Sequence, residues 1–270
     1  MGTGATPLWD ATEADRQADA LRVSAVTPTI LAALHRISRG VNPVAPRPDL
    51  GVAANWLYMV TGEVADAALV RAVEKYLIAT IDHGFNASTF TARVIASTGA
   101  DVFSAVCGAI GAFSGPLHGG APDRALEALD EIRSTGRDPA EWARDEIAHG
   151  RRIMCFGHAV YRTRDPRSEM LKGVALELGG ATVEFAVDAE EKIVSALREA
   201  HPDRPRYANV EFYAGVVMDR CGLPREMFTP TFAVSRVVGW SANIVEQSAI
   251  RTIIRPDARY VGRPLTPATP

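Results

Sequence analysis

Two histidines stand in loops that contain glycine, His118 in Gly115-Pro116-Leu117-His118-Gly119-Gly120-Ala121 and His158 in Phe156-Gly157-His158-Ala159-Val160-Tyr161-Arg162. A carboxylate, Glu211, heads the apolar run Asn209-Val210-Glu211-Phe212-Tyr213-Ala214-Gly215, where burial raises its pKa unless a cation compensates. Arg236 lies among Phe232, Val234, Val237, Val238, Trp240 and Ile244, and an arginine in such company needs an anion. These types suit one chemistry. A carboxylate can take a proton from the carbon beside an acyl carbonyl, while a neutral histidine donates to that carbonyl oxygen and stabilises the enol or enolate. A second histidine can protonate the other reactant as a carbon–carbon bond forms, and arginines can clamp a dicarboxylate with planar, permanently charged forks. The same residue types also build structural ion-pair networks, and His118 reads equally well as a loop histidine capping a helix, so spacing alone leaves both readings open.

The elements that must position these groups read as helices. Asp101 to Phe113 carries Ala105, Gly108, Ala109, Gly111 and Ala112, small enough for close helix approach, and reads as a buried helix stopped by Gly115 and Pro116. A new helix restarts at Asp123, so His118 sits just ahead of a positive dipole end, which disfavours imidazolium and keeps the ring a neutral donor. Thr27-Pro28 is expected to open a helix whose apolar face is Ile30, Leu31, Leu34 and Ile37, with Gly40 closing it. Asp49 is expected to cap the next helix and Asp66 the one after, the two forming a hairpin-like pair. The polar run Asp82-His83-Gly84-Phe85-Asn86-Ala87-Ser88-Thr89 interrupts two apolar helical patterns; it can tie helix ends through backbone hydrogen bonds, or it can belong to a site. Further helix starts are marked by Asp138-Pro139-Ala140-Glu141 and Asp165-Pro166-Arg167, and later helices are expected within 183–201, from Asn209, and over 230–248. Convincing strands are almost absent, so the fold class is all-α.

Composition narrows the functional classes. With 270 residues, a net charge of -3 and a pI near 6.1, nothing suggests a field that holds nucleic acid or an anionic membrane. The three cysteines, Cys107, Cys155 and Cys221, lack metal-ligand spacing and fit reduced thiols, and no run of apolar residues is long enough to span a bilayer. The chain is therefore read as cytoplasmic, with no metal site and no nucleic-acid or membrane partner. Residues 1–15 show no clear period and are expected to be loosely docked; 264–270 reads as a tail.

The runs around His83, His118, His158 with Asp165-Pro166-Arg167, and Glu211 closely resemble citrate synthase and occur in that family's order. Phe228-Thr229-Pro230, Ser235-Arg236-Val237-Val238-Gly239-Trp240 and Ile254-Arg255-Pro256 extend the match from Ala20 to Gly262. Within the family the chain is most similar to the bacterial citrate and 2-methylcitrate synthase branch, especially actinobacterial forms. The resemblance implies a helical large domain (1–120 and 223–270) and a smaller helical domain (121–222) closing on a cleft between them. It implies that His118 holds the acyl-CoA carbonyl, that Glu211 abstracts the proton, and that His158 polarises and protonates the keto oxygen of oxaloacetate. It gives oxaloacetate binding to His83, Arg167 and Arg236, with Arg255 reaching in from the partner of a homodimer. For coenzyme A it implies Arg162 at a phosphate and the backbone around Ile153, Cys155 and Phe156 near the adenine. Acyl-CoA and oxaloacetate are then the only small molecules needed, with no further cofactor.

The sequence departs from the family at four points. The family base is usually aspartate, and Glu211 adds a methylene that shifts the base by about 1 Å unless the helix compensates. Thr80 stands where the family often has another histidine, and Cys155 where a glycine is common. The chain also lacks the N-terminal segment of most full-length relatives, so either a separate polypeptide supplies it or the protein is a specialised short member. Other readings are a citryl-CoA lyase, a biosynthetic condensation with another 2-oxo acid, and a catalytically impaired paralogue that binds or regulates.

Overall fold

The computed structural model describes residues 5–119, 121–158 and 163–263. The described residues form eleven α-helices and one 3-10 turn, with a single isolated β-bridge between Phe156 and Ala208, so the expected all-α class is found.

Helix α1 (Glu13–Ser38) begins well before the expected start at Thr27-Pro28. A capping box closes its N-terminus: Thr12 Oγ1 accepts from the Asp15 N–H at 3.2 Å and the Asp15 carboxylate accepts from the Thr12 N–H at 3.2 Å. Pro28 lies inside the helix, normally a cost of about 3 kcal/mol. Packing overrides it, because Ala20, Val23, Thr27 and Ala32 form a buried edge and α1 packs along the last helix, α11 (Phe228–Ile250), where Ser24 Oγ meets Ser241 Oγ at 3.2 Å. Of the expected apolar face Leu31 packs against the core, but Ile30, Leu34 and Ile37 point outward, 49%, 59% and 59% exposed. The segment before α1 is also better docked than expected. Leu8 and Ala11 are buried, and the Trp9 N–H donates to the Gly99 carbonyl at 3.4 Å.

The hairpin of α2 (Val52–Thr61) and α3 (Ala67–Thr80) forms as expected, but Gly51 rather than Asp49 occupies the cap of α2, since Asp49 pairs with Arg47 at 2.6 Å. Helices α4 (Ala87–Ser97) and α5 (Val102–Phe113) lie so close that a Cβ on Gly108 would stand 2.0 Å from Ile95 Cδ1. Helix α5, expected to be buried, is covered on one side only, by way of Val102, Ala105, Val106, Ala109 and Phe113, while Cys107 and Ile110 face outward.

Then follow α6 (Ala121–Thr135), α7 (Pro139–Ala148), α8 (Pro166–Leu178), α9 (Ala181–Ala200) and α10 (Val210–Arg220). Buried from Phe212 to Met218, α10 packs against α3, α6 and α8. The buried Glu190 carboxylate accepts from Lys172 Nζ and from the Tyr213 hydroxyl, each at 2.6 Å, and so bolts α9 to α8 and α10. Helix α11 is the spine on the other side, against α1, α3, α4, α5 and α6. Its Gly239 lets it touch the end of α3: a Cβ there would stand 2.2 Å from the Ile81 carbonyl oxygen. Residues 251–263 carry no helix or strand, and among the described residues no helix is long and apolar enough to cross a membrane.

Candidate active site

The ends of α5, α8 and α10, the body of α11 and two loops bring His83, His118, His158, Arg167, Glu211 and Arg236 together. His118 follows α5 in a turn that folds back on the helix end, with the Gly119 N–H donating to the Phe113 carbonyl at 2.9 Å. A Cβ on Gly119 would stand 2.6 Å from that carbonyl oxygen, so only glycine allows the turn. Thr229 Oγ1 donates to the Gly119 carbonyl at 3.0 Å and fixes the turn to α11. The imidazole of His118 then stands edge-on to Phe113, 5.0 Å between centroids, with Nε2 2.8 Å from Ser88 Oγ.

His158 and Glu211 are set by one residue. Asn209 caps α10 by accepting from the Glu211 N–H at 3.0 Å, donates its Nδ2 to the Gly157 carbonyl at 3.1 Å, and sends its own N–H to the Cys155 carbonyl at 2.9 Å. Opposite, the rings of His83 and His158 meet at 5.2 Å. Arg167, in the first turn of α8, grips Asp165 through Nε at 3.1 Å and Nη2 at 2.8 Å, and that Nη2 also lies 3.4 Å from His158 Nε2. Arg236 is 2% exposed on α11; its Nε donates to the Thr80 carbonyl at 2.8 Å and its guanidinium covers Phe232 at 4.8 Å. Thr80 therefore braces the arginine, its hydroxyl 3.0 Å from Ser235 Oγ.

Burial and fixed cations set the charge states. Desolvation lowers the pKa of His118 to about 4, with help from the charge of Arg236. A neutral ring is what the sequence leads one to expect, and burial is the first cause of it. Desolvation, then Arg167, His158 and Arg236, lowers His83 to about 4 as well, and His158 moves down through burial and Arg167. Glu211 is partly accessible by surface area, yet protein crowds its carboxyl, and desolvation raises it to about 7 against the pull of Arg167 and Arg236. Burial works to raise Asp165, but the hydrogen bonds and charge of Arg167 outweigh it and hold the carboxylate below its ordinary range. Three neutral imidazoles, a carboxyl poised near neutrality and two arginines make a pocket suited to a dianion beside an acid–base pair.

Beside this cluster opens a cavity of about 970 Å³ whose walls include Arg151, Arg152, Ile153, Phe156, His158, Arg204 and Arg206. Ile153 stands on the wall of this cavity. Cys155 is buried behind that wall with φ at 66°, a backbone conformation that favours glycine and costs a side-chain-bearing residue about 1–2 kcal/mol. Arg162 lies outside the described residues. Arg255 is exposed on the segment after α11.

Sequence reasoning missed Ser88, Asp165 and Asn209 as positioning groups, and Arg204 and Arg206 as cavity walls. Asn86 does cap α4, accepting from the Thr89 N–H at 3.1 Å, so the structural reading of that run is right for Asn86, while His83 packs against His158. Among the described residues no group of three or more His, Cys, Asp or Glu is placed to hold a metal ion.

The family model described as "Citrate synthase, C-terminal domain" matches residues 3–257. The chain belongs to the citrate synthase family. It is 42% identical over 254 residues to the 2-methylcitrate synthase of Mycobacterium tuberculosis strain H37Rv, an alignment covering 92% of this chain and 63% of that relative. The crystal structure of citrate synthase from Thermotoga maritima superposes with a TM-score of 0.84 at 38% identity, covering 97% of this chain and 76% of that one. The ternary complex of citrate synthase from Thermoplasma acidophilum with carboxymethyl coenzyme A and oxaloacetate superposes with a TM-score of 0.82 at 30% identity, covering 98% and 76%. The chain thus spans about two thirds to three quarters of the length of these family members.

Proposed function

We propose that this protein condenses an acyl-CoA, acetyl-CoA or propionyl-CoA, with oxaloacetate to give citrate or 2-methylcitrate and free coenzyme A. The observation that carries this reading is the convergence of a carboxyl raised to about 7, Glu211, with neutral His118 and His158 around two buried or half-buried arginines. Family membership and the ligands named for the Thermoplasma complex support the substrate class.

The Glu211 carboxylate takes a proton from the carbon beside the thioester, and His118 donates to the thioester oxygen, so negative charge develops against a placed donor. The enol carbon attacks the keto carbon of oxaloacetate, whose oxygen His158 polarises and protonates. His83, Arg167 and Arg236 hold the two carboxylates. Water then hydrolyses the thioester and releases the coenzyme A thiol. The cavity beside His158, walled in part by Ile153 and Phe156, receives coenzyme A, with the backbone around Ile153, Cys155 and Phe156 near the adenine and Arg162 at a phosphate. In this reading the cleft lies between the large domain (1–120 and 223–270) and the small domain (121–222), and no cofactor is needed beyond the substrates.

We further propose a cytoplasmic homodimer in which Arg255 completes the partner's oxaloacetate site, which its exposure permits. The outward Ile30, Leu34 and Ile37 of α1 support a polypeptide cover on that helix. A stable bare monomer in sedimentation would count against both protein contacts.

Thiol release from oxaloacetate with each acyl-CoA, and the product's mass, test the reaction and name the donor. Release that vanishes in His118→Ala and Glu211→Ala is the expected outcome. A folded chain that releases no thiol with either donor overturns the reading.

A further inference from the structure

We propose that the Ser88 hydroxyl is a two-position proton switch that sets which nitrogen of His118 carries hydrogen, with the Trp240 indole N–H and Asn86 Oδ1 as its fixed posts. The inference rests on the reading of His118 as the donor to the acyl carbonyl. It adds Trp240 and Asn86 as positioning residues.

Three groups meet Ser88 Oγ: Trp240 Nε1 at 3.0 Å, Asn86 Oδ1 at 2.8 Å and His118 Nε2 at 2.8 Å. A serine hydroxyl has one proton and two lone pairs. The indole can only donate, so it fills one lone pair. Trp240 is fully buried and braced edge-on against Phe113, 5.3 Å between centroids, so this post does not move. Asn86 Oδ1 can only accept, and its orientation is locked: Oδ1 also takes the Thr89 N–H at 3.1 Å, while Nδ2 donates to Thr89 Oγ1 at 3.0 Å and the Gly84 carbonyl at 3.3 Å. An amide flip would set donor against donor at Thr89.

The serine proton therefore has two destinations. Pointed at Asn86, it leaves the second lone pair to accept from a His118 Nε2–H, and all three contacts are hydrogen bonds. His118 then carries no proton on Nδ1 and cannot donate from that nitrogen. Pointed at His118, the hydroxyl makes Nε2 the acceptor and Nδ1–H the donor, but two acceptor oxygens then face each other across 2.8 Å at Asn86. The free chain thus favours the Nε2–H form, and an acyl oxygen against Nδ1 supplies the hydrogen bond that turns the switch. The ring gives its Nε2 proton to water and takes one at Nδ1, with no net change in protonation. The competent tautomer is selected by the thioester instead of being set beforehand.

Nitrogen-15 NMR of the full chain with labelled histidine, at pH 7, reads this directly, with the His118 signals assigned by their loss in His118→Gln. The expected result is Nε2–H in the free chain, Nδ1–H after addition of carboxymethyl coenzyme A with oxaloacetate, and mixed tautomers in free Ser88→Ala. A free chain already in the Nδ1–H form overturns the switch. Trp240→Phe keeps the aromatic packing and removes the post; it should lower kcat roughly tenfold, the worth of about one hydrogen bond, and leave KM for oxaloacetate unchanged. In a Ser88→Ala background the same change should cost nothing more, and an equal loss in both backgrounds would reduce Trp240 to packing. A chain with no turnover overturns the condensation reading alone, since the tautomer of the free chain still decides the switch.

Discussion

Asn209 holds the Gly157 carbonyl at 3.1 Å with the same side chain that accepts the Glu211 N–H at 3.0 Å. The loop that presents His158 and the helix that presents Glu211 are thus built on one amide, and the bridge between Phe156 and Ala208 repeats the link in the backbone. In the proposed reaction these two residues act on different substrates, so their separation has to be fixed before both substrates are present.

Asn209→Ser separates this link from helix capping. Serine caps nearly as well as asparagine, so stability should fall by less than about 1 kcal/mol. The reach to Gly157 is lost, and misplacement of reacting groups by about 1 Å can cost on the order of 100-fold. The expected result is a variant with near-native melting and kcat lowered between 10- and 100-fold, in the range of that estimate. A variant with unchanged kcat would show that the backbone bridge suffices.

The buried histidines make acid stability a second test. His83 and His118 are held near 4, below the unfolded value of 6.5, so the fold prefers their neutral forms. Their contribution is present in full above 6.5 and is lost as pH falls from 6.5 through about 4. Melting temperature should drop over that window, and His83→Asn should flatten the drop while sparing the helices. Equal slopes for the two proteins would remove His83 from the account.

Much of this was legible in the sequence where local rules and packing agree. Asp138-Pro139 and Asp165-Pro166 open α7 and α8 as their capping chemistry dictates. Thr27-Pro28 misled because it has the same local form, yet lies where the small edge of α1 meets α11 and tertiary packing outweighs the proline. The outward Ile30, Leu34 and Ile37 misled for a related reason: periodicity marks an apolar face but not which neighbour covers it. In the candidate site, His118, His158 and Glu211 were visible because their residue types carry chemistry. Ser88 and Asn209 were not, since a serine and an asparagine near helix starts are ordinary caps until the fold shows their second partners.

Thiol labelling checks the cysteine environments and bears on the thiol-release assay itself. Cys107 is exposed on α5, whereas Cys155 and Cys221 are buried, which pushes both thiols up, Cys221 to about 12. The native protein should release one equivalent from an aromatic disulfide reagent rapidly, and Cys107→Ser should abolish that background. Fast native reaction at Cys155 would mean that the wall of the cavity beside His158 opens in solution.

Glu211 brings stability and function into opposition. Its pKa is raised from 4.5 to about 7, first by desolvation, so the fold prefers the protonated form and loses stability as pH rises from 4.5 through about 7. The reaction needs the carboxylate, so kcat/KM at low substrate should rise with pH and level off above about 7. Glu211→Gln keeps shape and cannot ionise. It should cut turnover by a factor on the order of 1,000, the scale of a general base. At pH 8 it should also melt higher than the parent, by about 2–4 °C for each kcal/mol of burial penalty removed. At pH 4.5 the two melting temperatures should converge, because the parent carboxyl is then neutral. A Gln variant that melts lower at pH 8 would show that Arg167 and Arg236 repay the ionised carboxylate, and the base would then have to work from a stable ion cluster.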